Sequence, residues 1–213
     1  MSKTVWITGA SSGIGREFAR RYARLGFRLI LTARRKDRLE TLAAELLAKY
    51  NTVSRILTAD LAQEAELDRL CAALDGERID IFINDAGFGV CGRFLETDAE
   101  RELSMAKVNV LALHRLFKFA VQKMQAQGFG TVLNVASSAG LLPGGPYMAG
   151  YYATKAYVVS LTRSVAEELR EAHSPVYVCA LCPGPVNTEF NDCADVVFAL
   201  KGITPQFCVE EAL

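Results

Sequence analysis

Short apolar runs alternate along the whole chain with stretches in which apolar residues recur every three or four positions. Val5 to Thr8 is the first short run, and it feeds directly into glycines. Phe18, Ala19, Tyr22, Ala23 and Leu25 then repeat at the spacing of a helix with one buried face. The same change of period recurs downstream. Runs at Arg28–Thr32, Arg55–Thr58, Ile79–Ile83, Gly130–Val135 and Val176–Cys182 predict strands. Stretches at 39–50, 62–74, 99–127 and 151–172 predict helices. Ile79–Ile83 is almost wholly apolar, as suits a parallel strand covered on both faces. Regular strand–helix alternation, without internal repeats or low-complexity linkers, predicts an α/β chain with a doubly wound parallel sheet flanked by helices. One domain is expected over residues 1–213.

Composition narrows the function classes. Apolar residues make up 51% of the 213, which excludes global disorder. Basic and acidic side chains balance at 24 each, so electrostatics offer no case for nucleic acid or an anionic membrane surface. No run reaches the length of a membrane span, and the N-terminus lacks the cationic start and apolar core of a signal peptide. Cys179 and Cys182 have CxxC spacing, but they lie in an apolar strand where cysteine acts as a small hydrophobe. With Cys71, Cys91, Cys193 and Cys208 they are expected to be reduced thiols of a cytoplasmic protein. No metal site is expected, since His114 has no acidic or cysteine partner at ligand spacing.

The candidate chemistry begins in the first turn. A strand, a glycine turn and a helix are compressed into about two dozen residues, the first half of a βαβ unit. A helix start there presents bare N–H groups and a positive dipole end, which suit a phosphate. Glycine spacing alone also fits an ordinary turn. The full string Thr8-Gly9-Ala10-Ser11-Ser12-Gly13-Ile14-Gly15 is more specific and resembles the cofactor loop of the short-chain dehydrogenase/reductase family. The resemblance extends from Thr4 to Thr188. It implies a Rossmann-type fold, with Gly9, Ser11, Ser12, Gly13, Ile14 and Gly15 against the cofactor.

Arg34 and Arg35 follow the second strand, where an Asp or Glu would accept bonds from a ribose 2′-hydroxyl. Guanidinium groups suit a 2′-phosphate instead, so NADP(H) is expected in preference to NAD(H). Ser12 stands where related NADP enzymes often carry a further basic residue, and a solvated basic helix start is the bland reading of the pair. The resemblance places Asp60, with Leu61, at the adenine; by itself Asp60 also reads as a helix cap. Asn84-Asp85-Ala86-Gly87 matches the family's Asn-Asn-Ala-Gly at three of four positions. There Asn84 ties strands together, Ala86 and Gly87 leave room for a ribose, and Asp85 departs from the pattern. Asn109 falls inside a helical pattern, where its amide competes for backbone partners; the resemblance implies a local distortion and a proton-relay water there. Pro183, Gly184, Val186 and Thr188 resemble the loop that cups the nicotinamide and pyrophosphate.

Tyr151 and Lys155 are four residues apart and share a helix face. A neighbouring ammonium favours phenolate and brings a tyrosine toward its working range. The resemblance makes Tyr151 the acid/base and Lys155 its activator and a ribose ligand. Tyr152 would put Lys155 only three residues away. Ser137, three residues before Gly140, is the preferred substrate-oxygen donor. Ser138 stays open, because Ser137 implies one extra residue in the 141–150 loop.

The expected activity is NADP(H)-dependent hydride transfer between a carbonyl and a secondary alcohol. A non-catalytic cofactor-binding regulator and a dehydratase or epimerase of the same fold are the alternatives. Phe88, Pro143, Tyr147 and Phe190 suggest an apolar small-molecule substrate, and residues from about 189 to 205 a segment that covers it. The resemblance implies a homodimer or homotetramer paired through the helices at 99–127 and 151–172. A further helix begins at Pro205. Family members generally continue past this point with a helix and a last strand, which predicts lower stability or altered association for this chain.

Overall fold

The computed structural model describes residues 3–194, 196 and 201–213, apart from the side chains of Asp192 and Cys193. Its centre is a parallel sheet of six strands: β1 (Thr4–Thr8), β2 (Arg28–Ala33), β3 (Ser54–Thr58), β4 (Ile81–Asn84), β5 (Gly130–Val135) and β6 (Val176–Leu181). Their order is β3-β2-β1-β4-β5-β6. Chain direction of travel reverses between β1 and β4, and such a reversal opens a crevice above the strand ends.

Alternate strand residues face opposite layers, and the sequence assigns each its partner helices. Val5, Ile7, Leu29 and Leu31 pack with Phe18 and Ala19 of α1 (Gly13–Arg24) and Leu39, Leu42 and Leu46 of α2 (Lys36–Tyr50). Trp6, Ile30, Phe82 and Val132 face the other layer. They meet Leu67 and Leu70 of α3 (Glu64–Leu74), then Leu116, Phe117 and Met124 further along the chain. Trp6 and Phe82 stack with centroids 3.8 Å apart.

The helical stretch at 99–127 is continuous but not uniform. It comprises α4 (Ala99–Ala106), a π-helical stretch over Lys107–Ala112 and α5 (Leu113–Gln127). A short 3₁₀ turn, Ser138–Leu141, precedes α6 (Ala149–Glu171). A short helix α7 (Phe190–Ala194) follows β6, and α8 (Pro205–Glu210) closes the described chain. Pro205 occupies the first turn of α8 and the Thr204 hydroxyl accepts from the Phe207 N–H, a start suited to both residues. Val209 joins the α1 side of the core.

Two boundaries differ from expectation for local reasons. β4 starts at Ile81 rather than Ile79, because the Gln127 side-chain amide bonds both the N–H and the carbonyl of Ile79 in place of a ladder partner. α3 starts at Glu64 rather than residue 62, because the Asp60 carboxylate accepts the Ala62 N–H at 3.1 Å and holds a turn.

A buried polar row crosses the C-terminal rim of the sheet, where Thr32, Thr8, Asn84 and Asn134 stand in register. Asn84 Nδ2 donates to Asn134 Oδ1 and to the Leu113 carbonyl, both at 3.1 Å. Asn134 Nδ2 donates to Thr162 Oγ1 of α6 at 2.9 Å. Asn84 thus joins β4, β5 and the helix behind them, and the N–H groups of Asp85 and Ala86 are held by Thr8 Oγ1. A satisfied buried network of this kind fixes the geometry of the crevice floor.

Candidate active site

A cavity of about 560 Å³ occupies the crevice. At one end lie Gly9, Ser11, Ser12, Gly13 and Ile14, with Arg34 and Arg35 beside them and Asp60 and Leu61 opposite. At the other end lie Ser137, Ser138, Tyr151, Tyr152 and Lys155. Ala86 and Gly87 form the wall between, and Pro183, Gly184, Val186 and Thr188 close the remaining side. Residues separated by most of the chain therefore share one surface. Gly15, Asn84 and Asn109 are outside the lining and act from beneath it.

Gly9 has φ +70°, and a side chain there would meet Asp85 Oδ2 at 2.9 Å. A side chain on Gly15 would meet Gly9 O and Asp85 Oδ2, both at 2.7 Å. The turn therefore needs glycine both for its left-handed bend and for the close passage of α1 under it. No side chain caps α1, since Ser12 makes no such bond. The Gly15 N–H bonds Asp85, which leaves those of Gly13 and Ile14 for a ligand, as a pyrophosphate site requires.

Asn109 sits in the π-helical stretch, fully buried. Its Oδ1 accepts from the Phe88 N–H at 3.1 Å, and its Nδ2 donates to the Phe88 carbonyl at 2.8 Å and to Thr154 Oγ1 at 3.2 Å. Thr154 in turn donates to the Tyr151 carbonyl at 2.8 Å. The asparagine that disfavours an ordinary helix is thus spent on the wall beside Gly87 and on the first turn of α6.

Tyr151 and Lys155 both lie on the buried face of α6. The Lys155 ammonium is 5.8 Å from the Tyr151 ring centroid and donates to the Val135 carbonyl at 2.8 Å. Burial pushes the Tyr151 phenol up to about 12; a hydrogen bond with Ser137 pulls the other way. Burial also pushes the Lys155 ammonium down to about 8, against the attraction of Asp85. Asp85 itself is pushed up to about 7 by burial, opposed by Lys155 and by a bond from the Gly15 backbone. Asp85 is half-buried and lines the cavity.

Ser137, Ser138, Tyr151 and Tyr152 all line the cavity; of the two serines Ser137 is the one that lowers the Tyr151 phenol, while the Ser138 N–H donates to the Pro183 carbonyl at 2.8 Å. The ring of Tyr152 packs over Gly145, where a Cβ would lie 2.7 Å from Tyr152 Cε1. On the apolar wall, Phe88 and Phe190 line the cavity as expected, with Phe190 ring-on-ring against Tyr151 at 5.2 Å. Leu142 and Met148 replace the expected Pro143 and Tyr147, and Tyr147 is 59% exposed. Residues 195 and 197–200 of the expected covering segment at 189–205 lie outside the described residues.

Two participants escaped the sequence reading. Glu189 accepts from Arg35 at 2.9 Å and from Arg38 at 2.7 Å, linking the loop after β6 to the start of α2. Arg38 is one helical turn from Arg35, which gave a local cue, but nothing local connects either arginine to a carboxylate 154 residues away. Among the described residues no cluster of metal-ligating side chains occurs, and no helix is long and apolar enough to cross a membrane.

The family model described as short chain dehydrogenase matches residues 3–195. The very-long-chain 3-oxoacyl-CoA reductase of Podospora anserina is 33% identical over 174 residues, which is 78% of this chain and 51% of that one. The chain thus spans about half the length of that relative. A short-chain dehydrogenase from Sphingobium yanoikuyae, solved in complex with NADPH, superposes with a TM-score of 0.92 at 36% identity, covering 99% of this chain and 82% of its own. The bulky-bulky ketone specific alcohol dehydrogenase of Comamonas testosteroni superposes with a TM-score of 0.87 at 30% identity, covering 99% and 80%. The glycine turn, the buried strand-end network and the Tyr151–Lys155 pair are therefore those of a member of the short-chain dehydrogenase/reductase family of oxidoreductases, to which this chain belongs.

Proposed function

We propose that the chain is an NADP(H)-dependent oxidoreductase that interconverts a carbonyl and a secondary alcohol. The observation carrying this reading is the convergence of Tyr151, Lys155 and Ser137 at one end of a cavity whose other end holds the start of α1, with no cap bond from Ser12, and two arginines. An elongated dinucleotide fits that polarity: phosphates at the helix start, a 2′-phosphate at Arg34 and Arg35, adenine at Asp60 and Leu61. Ala86, Gly87, Pro183, Gly184, Val186 and Thr188 would enclose its remainder, with Ser11, Ser12 and Ile14 supporting the phosphates. When bound, the cofactor supplies or takes the hydride.

Every other role falls to side chains. Tyr151 gives its phenolic proton to the substrate oxygen in reduction and removes one in oxidation. Burial holds that proton tightly, and the Lys155 ammonium 5.8 Å from the ring centroid would favour the phenolate. Ser137, which lines the same end of the cavity as Tyr151, would donate to the same substrate oxygen. Asn109 anchors a water from which the proton is replaced toward Lys155. Phe88, Leu142, Met148 and Phe190 support an apolar substrate, held by packing around a single polar point. The segment after Thr188 serves to cover it.

Leu103 and Leu111 are 55% and 64% exposed on the outer face of the helical stretch at 99–127, which supports pairing of copies through that face. Free thiols at the five described cysteines suit a reducing cytoplasm. The test is titration with NADPH and NADH followed by a carbonyl screen. NADPH binding with turnover lost in Tyr151→Phe is the expected result. Cofactor binding without turnover of any carbonyl would favour a regulator instead.

A further inference from the structure

Resting on the NADP(H) reading above, we infer that Glu189 determines cofactor specificity by acting as an internal rival to the 2′-phosphate. Each polar nitrogen of the Arg35 guanidinium is already engaged in the free protein. Nε and one terminal nitrogen donate to Ser11 Oγ at 3.3 and 3.1 Å, and that same nitrogen donates to Ser12 Oγ at 3.0 Å. The other terminal nitrogen donates to Glu189 Oε2 at 2.9 Å. Arg38 donates to both oxygens of the same carboxylate. Glu189 thus sits between two guanidinium groups at the arginine end of the cavity it lines. A dianionic phosphate ester arriving on a ribose would seek this same pair of cations.

The two anions compete for the same donors. Four of the five Arg35 N–H groups are spent, and a phosphate that takes both hydrogens of the terminal nitrogen now holding Glu189 Oε2 displaces that carboxylate. The bond that breaks also ties the loop following Thr188 to the start of α2, so a 2′-phosphorylated cofactor releases that loop whereas NAD(H) leaves the tie intact. The arginines and the glutamate are each more than a third exposed, so the competition is modest and screened by salt. Arg34 forms no ion pair among the described residues and is exposed, so it meets the phosphate without competition. Arg35 and Arg38 hold the Glu189 carboxyl below the usual carboxylate range, which keeps the rival anion charged at neutral pH.

The experiment compares dissociation constants of NADPH and NADH for the wild-type chain, Glu189→Gln and Arg34→Ala. In Glu189→Gln, NADPH is expected to bind about three- to fivefold tighter, with NADH within twofold, and the gain to fade at high salt. Thermal melts of the free variants establish that each is folded. Equal weakening of both cofactors would overturn the inference and make the ion pair a structural tie. Selective weakening of NADPH would also overturn it, making Glu189 a support for Arg35. Failure of the underlying reading looks different: the wild type would not prefer NADPH, and Arg34→Ala would leave both constants unchanged.

Discussion

A side chain on Gly140 would run into the carbonyl of Lys155, with the carbonyl carbon at 2.7 Å and Val159 Cγ2 at 2.9 Å. The 3₁₀ turn that carries Ser137 lies directly on the second turn of α6, and this contact sets the height of Ser137 relative to Tyr151 and Lys155. Gly140→Ala is expected to cost about 1–3 kcal/mol through overpacking. It should also lower kcat more than this stability loss explains, because Ser137 moves away from the phenol. Chemical denaturation and steady-state kinetics check it; an unchanged melt and unchanged kcat would remove the contact from the argument.

Asp85 stands where relatives of the resembled pattern carry asparagine, and its burial has a pH signature. Its carboxyl is held up to about 7 from 3.8, so between these values the folded chain keeps a proton that the unfolded chain has released. Stability from this group is therefore lost as pH rises through that window. Lys155 works in the opposite sense: held down to about 8 from 10.5, it returns stability as pH rises between those values. A trough near pH 7–8 follows. Tyr151, Cys208 and the Lys155 ammonium are the groups whose charges couple to Asp85. In Asp85→Asn the gain over wild type should grow from pH 5 to pH 7 to on the order of 1–2 kcal/mol, since burial outweighs the Lys155 attraction. Melting temperatures across that range test it, and a gain that is flat with pH would contradict the assignment.

The legible parts of this molecule were those with a period or a fixed spacing. The six strands, their parallel layering and the helical faces followed from runs such as Val5–Thr8 and the repeat Leu39, Leu42, Leu46. The glycine string and the Tyr151–Lys155 pair carried the expected site, and the family resemblance at Asn109 implied the distortion found at Lys107–Ala112. Loops were less legible. Leu142 and Met148 face the cavity while Pro143 and Tyr147 do not, because a non-periodic turn gives no rule for side-chain direction. The start of β4 depended on a side-chain amide at Gln127, far outside any local window. The Glu189 bridge to Arg35 and Arg38 joins surface charges brought together only by the finished fold.

Asn109 carries the last prediction, because its three bonds have no substitute. Replacing it with leucine preserves approximate size but strands the Phe88 N–H, the Phe88 carbonyl and one side of Thr154 Oγ1 in a buried setting. Unsatisfied buried groups cost about 1–3 kcal/mol each, and partial relaxation brings the expected loss for Asn109→Leu to about 2–4 kcal/mol. The functional effect should exceed the structural one. Thr154 links the asparagine to the Tyr151 carbonyl, and Phe88 lies on the cavity wall, so both the proposed acid/base and the cavity lose a support. Asn109→Asp separates the two contributions: it keeps an acceptor for the Phe88 N–H but cannot donate to the carbonyl or to Thr154. Its kcat should fall toward that of the leucine variant while cofactor affinity stays near wild type, since Asn109 is outside the cavity lining. A pH–rate profile of the aspartate variant unchanged from wild type, with full kcat, would show that the amide's donor bonds do not reach the chemistry.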